Sequence, residues 1–489
     1  YLYLDRFRLW LAVLAGSAML AGCAVGPDYH RPAAPVPARY KESSSAPAGW
    51  KVAAPADMAD RGRWWDIYDD PLLDELETKI DIGNQNLKAF EAAYRQARAV
   101  VNDARSNLFP TLSVTSGVNR SRSSGVTGTT HFLEASAAWD ADIWGKVRRQ
   151  VESDRAAAQA SAAELASVRL SAQADLASFY FQLRYQDSLQ RLLSDTATAY
   201  QRSLTIARNQ YEAGIVSQSD VITAETQLQT TQAQLLAVGI SRAQFEHAIA
   251  LLTGQPPSEL TIAAAELPPS VPTIPVTVPS TLLERRPDIA QAERGMEREN
   301  ALIGVAVAAY YPDIGLSAAF GYAQAPLHGL ISASNEVWSL ATSANQLVAD
   351  GGGRSAAIAA ARANYDQSVA NYRQSVLSAF RDVEDALSSL RILSQQAEAQ
   401  AAAVTLARRA VKIALNEYQA GTQSYTAVVT AETTALSNEE TALQVAEARL
   451  TQSVALMKAL GGGWSETALS SAAQPTRGKV TSASKPPAG

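Results

Sequence analysis

Two stretches of the chain alternate apolar and polar residues with period two. In 110–119, Leu112, Val114 and Val118 alternate with Thr111, Ser113, Thr115 and Gly117. In 131–143, Leu133, Ala135, Ala137, Trp139, Ala141 and Ile143 alternate with Glu134, Ser136, Asp140 and Asp142. This period predicts two strands, each with one apolar and one polar face, joined by a Ser/Thr/Gly-rich loop from Arg120 to Thr130. A second pair is expected at 312–323, with Ile314, Leu316, Ala318, Phe320 and Tyr322 on one face, and at 337–348, with Trp338 and Leu340; Gln324 to Glu336 forms its loop. Strands of about 9–11 residues are long enough to cross a membrane. An ordinary hairpin on a soluble sheet has the same alternation.

After each strand pair the period changes to three or four. Gly145 to Tyr211 reads as one helix, roughly 100 Å long at 1.5 Å per residue. In the second long stretch Val369, Tyr372, Val376, Phe380, Val383, Leu387 and Leu390 form a coiled-coil-like seam. Tyr211-x-x-Gly214 and Tyr418-x-x-Gly421 stop these helices, glycine being the residue that takes the left-handed C-terminal position. Ser217 or Ser219, and Ser424 or Thr426, cap the return helices. These carry apolar heptads: Val429, Leu436, Leu443, Leu450 and Met457 in one, Val221, Leu228, Leu235 and Ile249 in the other, the latter interrupted by Arg242. Ahead of the strands, Asp70-Pro71 and Pro287 mark helix starts.

The two halves are copies. Residues 211–226 and 418–433 share nine of sixteen residues at an offset of 207. Prolines cluster between Pro27 and Pro55 and between Pro256 and Pro287, leaving 111–255 and 327–474 proline-free, as long helical regions require. The chain therefore divides into a leader 1–22, an extended tether 23–69, a first repeat 70–255 with its hairpin tip near 211–220, a Pro-rich connection 256–283, a second repeat 284–462 with its tip near 418–427, and a polar tail 463–489.

The leader has Arg6 and Arg8 before an apolar run, then Leu20-Ala21-Gly22-Cys23, a lipobox-like sequence that makes Cys23 a lipidation site. It is the single Cys among 489 residues, so a disulfide framework is excluded. The net charge of −6 argues against a nucleic-acid partner held by a basic surface. The four His have no metal-ligand spacing, and no nucleophile–His–acid set, P-loop or dinucleotide turn is present. No cofactor and no enzymatic activity are expected. Gly351-Gly352-Gly353 reads as a strand-to-helix turn, Arg148-Arg149 as a solvated face, Arg285-Arg286 as a structural ion pair or helix-start contact, and Asp220 and Glu225 as solvated first-turn acids or members of a gating ionic network at the tip.

Four strands cannot close a membrane barrel, and open edges are not tolerated in lipid, so spanning strands imply an oligomer. Further motifs are Gly26-Pro27-Asp28-Tyr29-x-Arg31-Pro32, Trp64-Trp65 before Asp70-Pro71, Arg285-Arg286-Pro287-Asp288-Ile289, Ile303-Gly304 and Tyr311-Pro312. In this order, with the twin tips, they resemble the TolC/OprM-like outer-membrane efflux proteins, specifically the NodT-type lipoproteins, over nearly the whole mature chain. The resemblance implies a mainly α protein with a membrane β-barrel: a homotrimeric channel-tunnel held in the outer membrane, its helices projecting into the periplasm. It implies a passive duct for drugs or other small molecules, docked to a periplasmic adaptor and an inner-membrane, proton-driven transporter. It places adaptor contacts at the tips (Tyr211, Gly214, Ser217, Asp220, Tyr418, Gly421 and Ser424). The aperture falls at Thr426 and Thr430, where relatives often carry a carboxylate, so a hydroxyl-lined constriction is expected here. A protein-secretion conduit and a lipid-anchored periplasmic coiled-coil scaffold are the competing readings.

Overall fold

The computed structural model describes residues 24–34, 36–37, 40–42, 63–272, 274 and 285–462. The leader, Cys23 and the tail after Gly462 lie outside the described residues. The chain divides into two compact units, one comprising 1–34, 91–163 and 290–375, the other 35–90, 164–289 and 376–489.

The first unit holds a four-stranded antiparallel sheet of order β1 (Thr111–Ser123), β2 (Val126–Ala141), β3 (Asp313–Gln324) and β4 (Glu336–Asn345). The expected loop from Arg120 to Thr130 is mostly strand: pairing continues to Ser123↔Val126, and the turn is Ser124-Gly125, with φ of 50° and 83°. Two positive φ values suit a tight hairpin turn, and Val126, Thr127, Thr129 and Thr130 on the β2 flank supply β-branched residues where apolar alternation has ended. β2 ends at Ala141, short of the expected 143, because Asp142 leaves the ladder to cap the next helix. β4 ends at Asn345, short of 348.

The long helices α3 (Lys146–Glu212) and α6 (Gly353–Gln419) begin alike. Asp142 accepts the Val147 and Arg148 N–H groups at 2.9 and 3.0 Å and pairs with Arg148 Nε at 3.2 Å. Asp350 accepts the Gly352 and Arg354 N–H groups and pairs with Arg354 Nε at 2.8 Å; those backbone donors lower its pKa. Each carboxylate satisfies N–H groups that a helix start leaves orphaned. The solvated face expected of Arg148-Arg149 is therefore corrected. Arg149 is 4% exposed, bonded to Asp28 and Glu152 at 2.8 Å each and donating to the Val25 and Gly26 carbonyls. It pins the Gly-Pro-Asp segment, whose Gly26, at φ 97°, lies against Gly304 so closely that no Cβ fits. Asn300 holds the Pro27 carbonyl at 2.9 Å.

In the second unit, Asp70 caps α1 (Pro71–Gly83) through the N–H groups of Leu72 and Leu73 and accepts the Tyr180 hydroxyl. The helix stops at Asn84 and α2 (Gln85–Ser106) follows. The Asn84 N–H closes α1 on the Ile80 carbonyl, while its Oδ1 accepts the Leu87 N–H to open α2 and its Nδ2 donates to the Leu252 carbonyl at 2.9 Å. Leu73, Leu76, Ile80, Leu176, Phe181 and Leu183 are buried to within 1% of full burial. Arg242, on α4 (Gln218–Thr253), interrupts its heptad to reach Asp187 at 2.7 Å. Arg286 pairs with Asp288 and Asp382 and donates to the Ala459 carbonyl, combining an ion pair with a contact ahead of α5 (Pro287–Ala308).

Candidate functional site

The two hairpin tips lie within the second unit. At the first, Gly214 has φ 72°, its N–H donating to Tyr211 O at 2.9 Å, and the Ile215 N–H reaches back to Gln210 O. At the second, Gly421 also has φ 72°, with Thr422 N–H to Glu417 O. Nothing lies within 4 Å of a Cβ built on either glycine, so the left-handed backbone and not crowding demands glycine here. Ser217 precedes α4, its N–H and hydroxyl both donating to Asp220 Oδ2 at 3.2 Å. Ser424 precedes α7 (Tyr425–Ala459) and makes no such side-chain bond.

The copies diverge in burial. Tyr211 is 45% exposed and Ile215 66%. Tyr418, expected on a docking surface, is 3% exposed instead, its ring 5.2 Å from that of buried Tyr425. It packs in a cluster with Tyr200, Leu204, Ala224 and Val428, which joins residues of α3, α4, α6 and α7. Thr426 and Thr430 are exposed, but their bonding is local: Thr430 Oγ1 donates to Thr426 O at 2.9 Å, and Thr434 Oγ1 to Thr430 O. The expected hydroxyl pair is present, with its hydrogen bonds running within one helix.

Glu432, half a turn beyond Thr430, escaped the sequence reading. Only the repeated Thr-Ala-Glu-Thr, which matches it to Glu225, pointed to it. Glu432 is 5% exposed; Oε1 accepts the Ser203 hydroxyl at 3.0 Å and Oε2 has no protein partner. Burial pushes its pKa up to about 7. It borders a cleft of about 430 Å³ lined also by Tyr200, Ser203, Leu415 and the Arg408–Glu439 ion pair. The folded state holds this proton more tightly than the unfolded chain, so the associated stability is full below pH 4.5 and lost as pH rises toward 7. In Glu432→Gln, hydrogen exchange of amides around Ser203 and Glu432 is expected to depend less on pH after correction for intrinsic rates, Glu440 and Glu447 on the same helix keeping their own dependence, whereas the native protein loses roughly 3 kcal/mol more protection between those limits. Equal pH dependence in both proteins would refute the assignment.

Such paired helical hairpins joined to a short amphipathic sheet have known counterparts. The family model described as "Outer membrane efflux protein" matches residues 79–255 and 278–462. The chain belongs to the outer membrane efflux protein family. It is similar to the solvent efflux pump outer membrane protein SrpC of Pseudomonas putida, 30% identical over 458 residues, 91% of this chain and 97% of that protein. It is also similar to the probable outer membrane lipoprotein SilC of Salmonella typhimurium, at 28% identity over 94% of this chain and 100% of that one. The solved structure of the outer-membrane channel OprN superposes with a TM-score of 0.84 at 29% identity, covering 90% of this chain and all of the other. The chain thus has the TolC-like channel-tunnel fold and is an outer-membrane efflux channel. Family membership makes it a channel component of an efflux system, a class distinct from enzymes.

Proposed function

We propose that this efflux protein works as a homotrimer anchored through lipid on Cys23. It passes drugs or other small molecules outward from a periplasmic adaptor and a proton-driven inner-membrane transporter. The observation that carries the trimer is the sheet itself: β1 and β4 are both open edges, and the pleat separates an apolar face from a small polar one. Open edges in lipid leave backbone groups unsatisfied. Pairing β4 of one copy with β1 of the next removes them, and three copies supply twelve strands. Exposed Leu236, Ile240 and Leu251 on α4 give the helices apolar surface to bury between copies.

The adaptor docks at the tips, through the exposed Tyr211 and Ser217 and the half-buried Asp220 of the first hairpin and the Gly421–Ser424 turn of the second. The exposed Gly214 and Gly421 set the two turns, and the buried Tyr418 supports the surface from behind. Thr426 and Thr430 line the resting aperture. The test is the mass of the full-length lipoprotein extracted in mild detergent, corrected for bound detergent, with dye accumulation in a deletion strain. A trimer that restores dye export supports the reading. A monomer refutes it, and a trimer that restores protein secretion instead moves the cargo to polypeptides.

A further inference from the structure

Residues opposite each other in an antiparallel ladder point to the same side of the sheet. Following the pairs, one side carries Leu112, Val114, Val118, Leu133, Phe320 and Trp338. The other carries Ser113, Thr115, Glu134, Ser136, Ser317 and Ser339. In an outer-membrane barrel the apolar side meets lipid and the polar side lines the lumen.

Arg120 and Arg122 are the next two positions on the lipid side after Val118, opposite Thr129 and Thr127, and both are exposed. The run from Leu112 to Arg120 rises about 20 Å along the barrel axis, at ~3.4 Å per residue and a ~40° tilt. Arg120 therefore stands at the rim of an apolar band about 25 Å tall. β1 follows α2 and β2 leads into α3, so the Ser124-Gly125 turn is the end of the hairpin remote from the helices, on the cell exterior.

Cations aimed out of the barrel contribute nothing to a permeation path, and they are disfavoured on a lipid face unless an anion meets them. Their same-side neighbours on β2 are Thr127, Thr129 and His131, the first two adding hydroxyl donors. Among the described strand residues on this face, the acid is Glu336 on β4, three strands away within the chain and on the adjacent strand across the β4–β1 seam of the trimer, so each seam has one carboxylate for two guanidinium groups. Planar guanidinium groups are suited to phosphate oxygens. We propose that Arg120 and Arg122 form a docking surface for the phosphate groups of an outer-leaflet glycolipid, giving each chain a fixed lipid contact above the apolar band. This goes beyond the duct reading and rests on the barrel fold alone.

The test uses the full-length protein in phosphatidylethanolamine nanodiscs containing bisphosphorylated lipid A, dephosphorylated lipid A or phosphatidylglycerol, with retained lipid counted by native mass spectrometry. The native protein is expected to retain bisphosphorylated lipid A at least about five-fold better than Arg120→Gln/Arg122→Gln, and Arg120→Lys/Arg122→Lys to keep most of it. Equal retention by the native and Gln proteins would overturn the proposal. So would equal retention of phosphorylated and dephosphorylated lipid A by the native protein, a comparison that stands even if the Gln variant fails to assemble. Phosphatidylglycerol held as well as lipid A would overturn the glycolipid assignment.

Discussion

Asp187→Ala is expected to destabilise the second unit by about 3–5 kcal/mol, the cost of leaving buried charge unpaired. The Asp187 side chain is 2% exposed and pairs with Arg184 at 3.0 Å and Arg242 at 2.7 Å, while accepting the Ala265 N–H at 3.1 Å. Both arginines also donate to the connecting segment, Arg184 to Ala263 O at 2.7 Å and Arg242 to Ile262 O at 2.6 Å. Removing the carboxylate strands the Arg184 guanidinium, itself 4% exposed, and frees the segment it tethers. Denaturant unfolding should show the loss, and limited proteolysis should cut first between 262 and 267. Asp187→Asn keeps the shape and one acceptor and should lose less. A loss below about 1 kcal/mol in the alanine variant, the range of an exposed pair, would show that this junction does not hold the segment.

Val114→Arg is expected to block barrel assembly, whereas Thr115→Arg one residue away should be tolerated. Val114 is 72% exposed in the isolated chain and lies on the apolar side, paired with Ala135. An arginine on the lipid face near the midplane costs about 2–4 kcal/mol in each chain. Thr115 points to the opposite side, across from Glu134, where a guanidinium finds both water and a carboxylate. The yield of oligomer in outer-membrane extracts separates the two. Equal yields would mean that the apolar face does not meet lipid, and the lipid-side placement of Arg120 and Arg122 would fall with it.

Features encoded over a few neighbouring residues were legible in the chain. The alternation through Leu112–Val118 and Ile314–Tyr322, the Asp70-Pro71 start and the tip glycines each depend on backbone geometry within one or two turns. The expected β1–β2 loop is mostly strand because backbone pairing does not require apolar side chains, and it continues from Arg120 to Ser123 after the apolar alternation has ended at Val118. The break at Asn84 needed the Leu252 carbonyl, 168 residues away, to give its side chain a second partner.

The repeat shows most directly where local information stops. Glu225 and Glu432 occupy the same place in the same Thr-Ala-Glu-Thr, and Tyr211 and Tyr418 in the same Tyr-x-x-Gly. Glu225 is half exposed beside Arg208, while Glu432 is sealed against Ser203, where burial raises its pKa; Tyr211 faces outward, while Tyr418 is buried against Tyr425. The sequence by itself determined that both turns exist, because a left-handed glycine and a following cap are local requirements. Only the tertiary structure decided which copy is buried, because burial depends on which distant helices pack against each turn, and identical motifs carry no record of their neighbours.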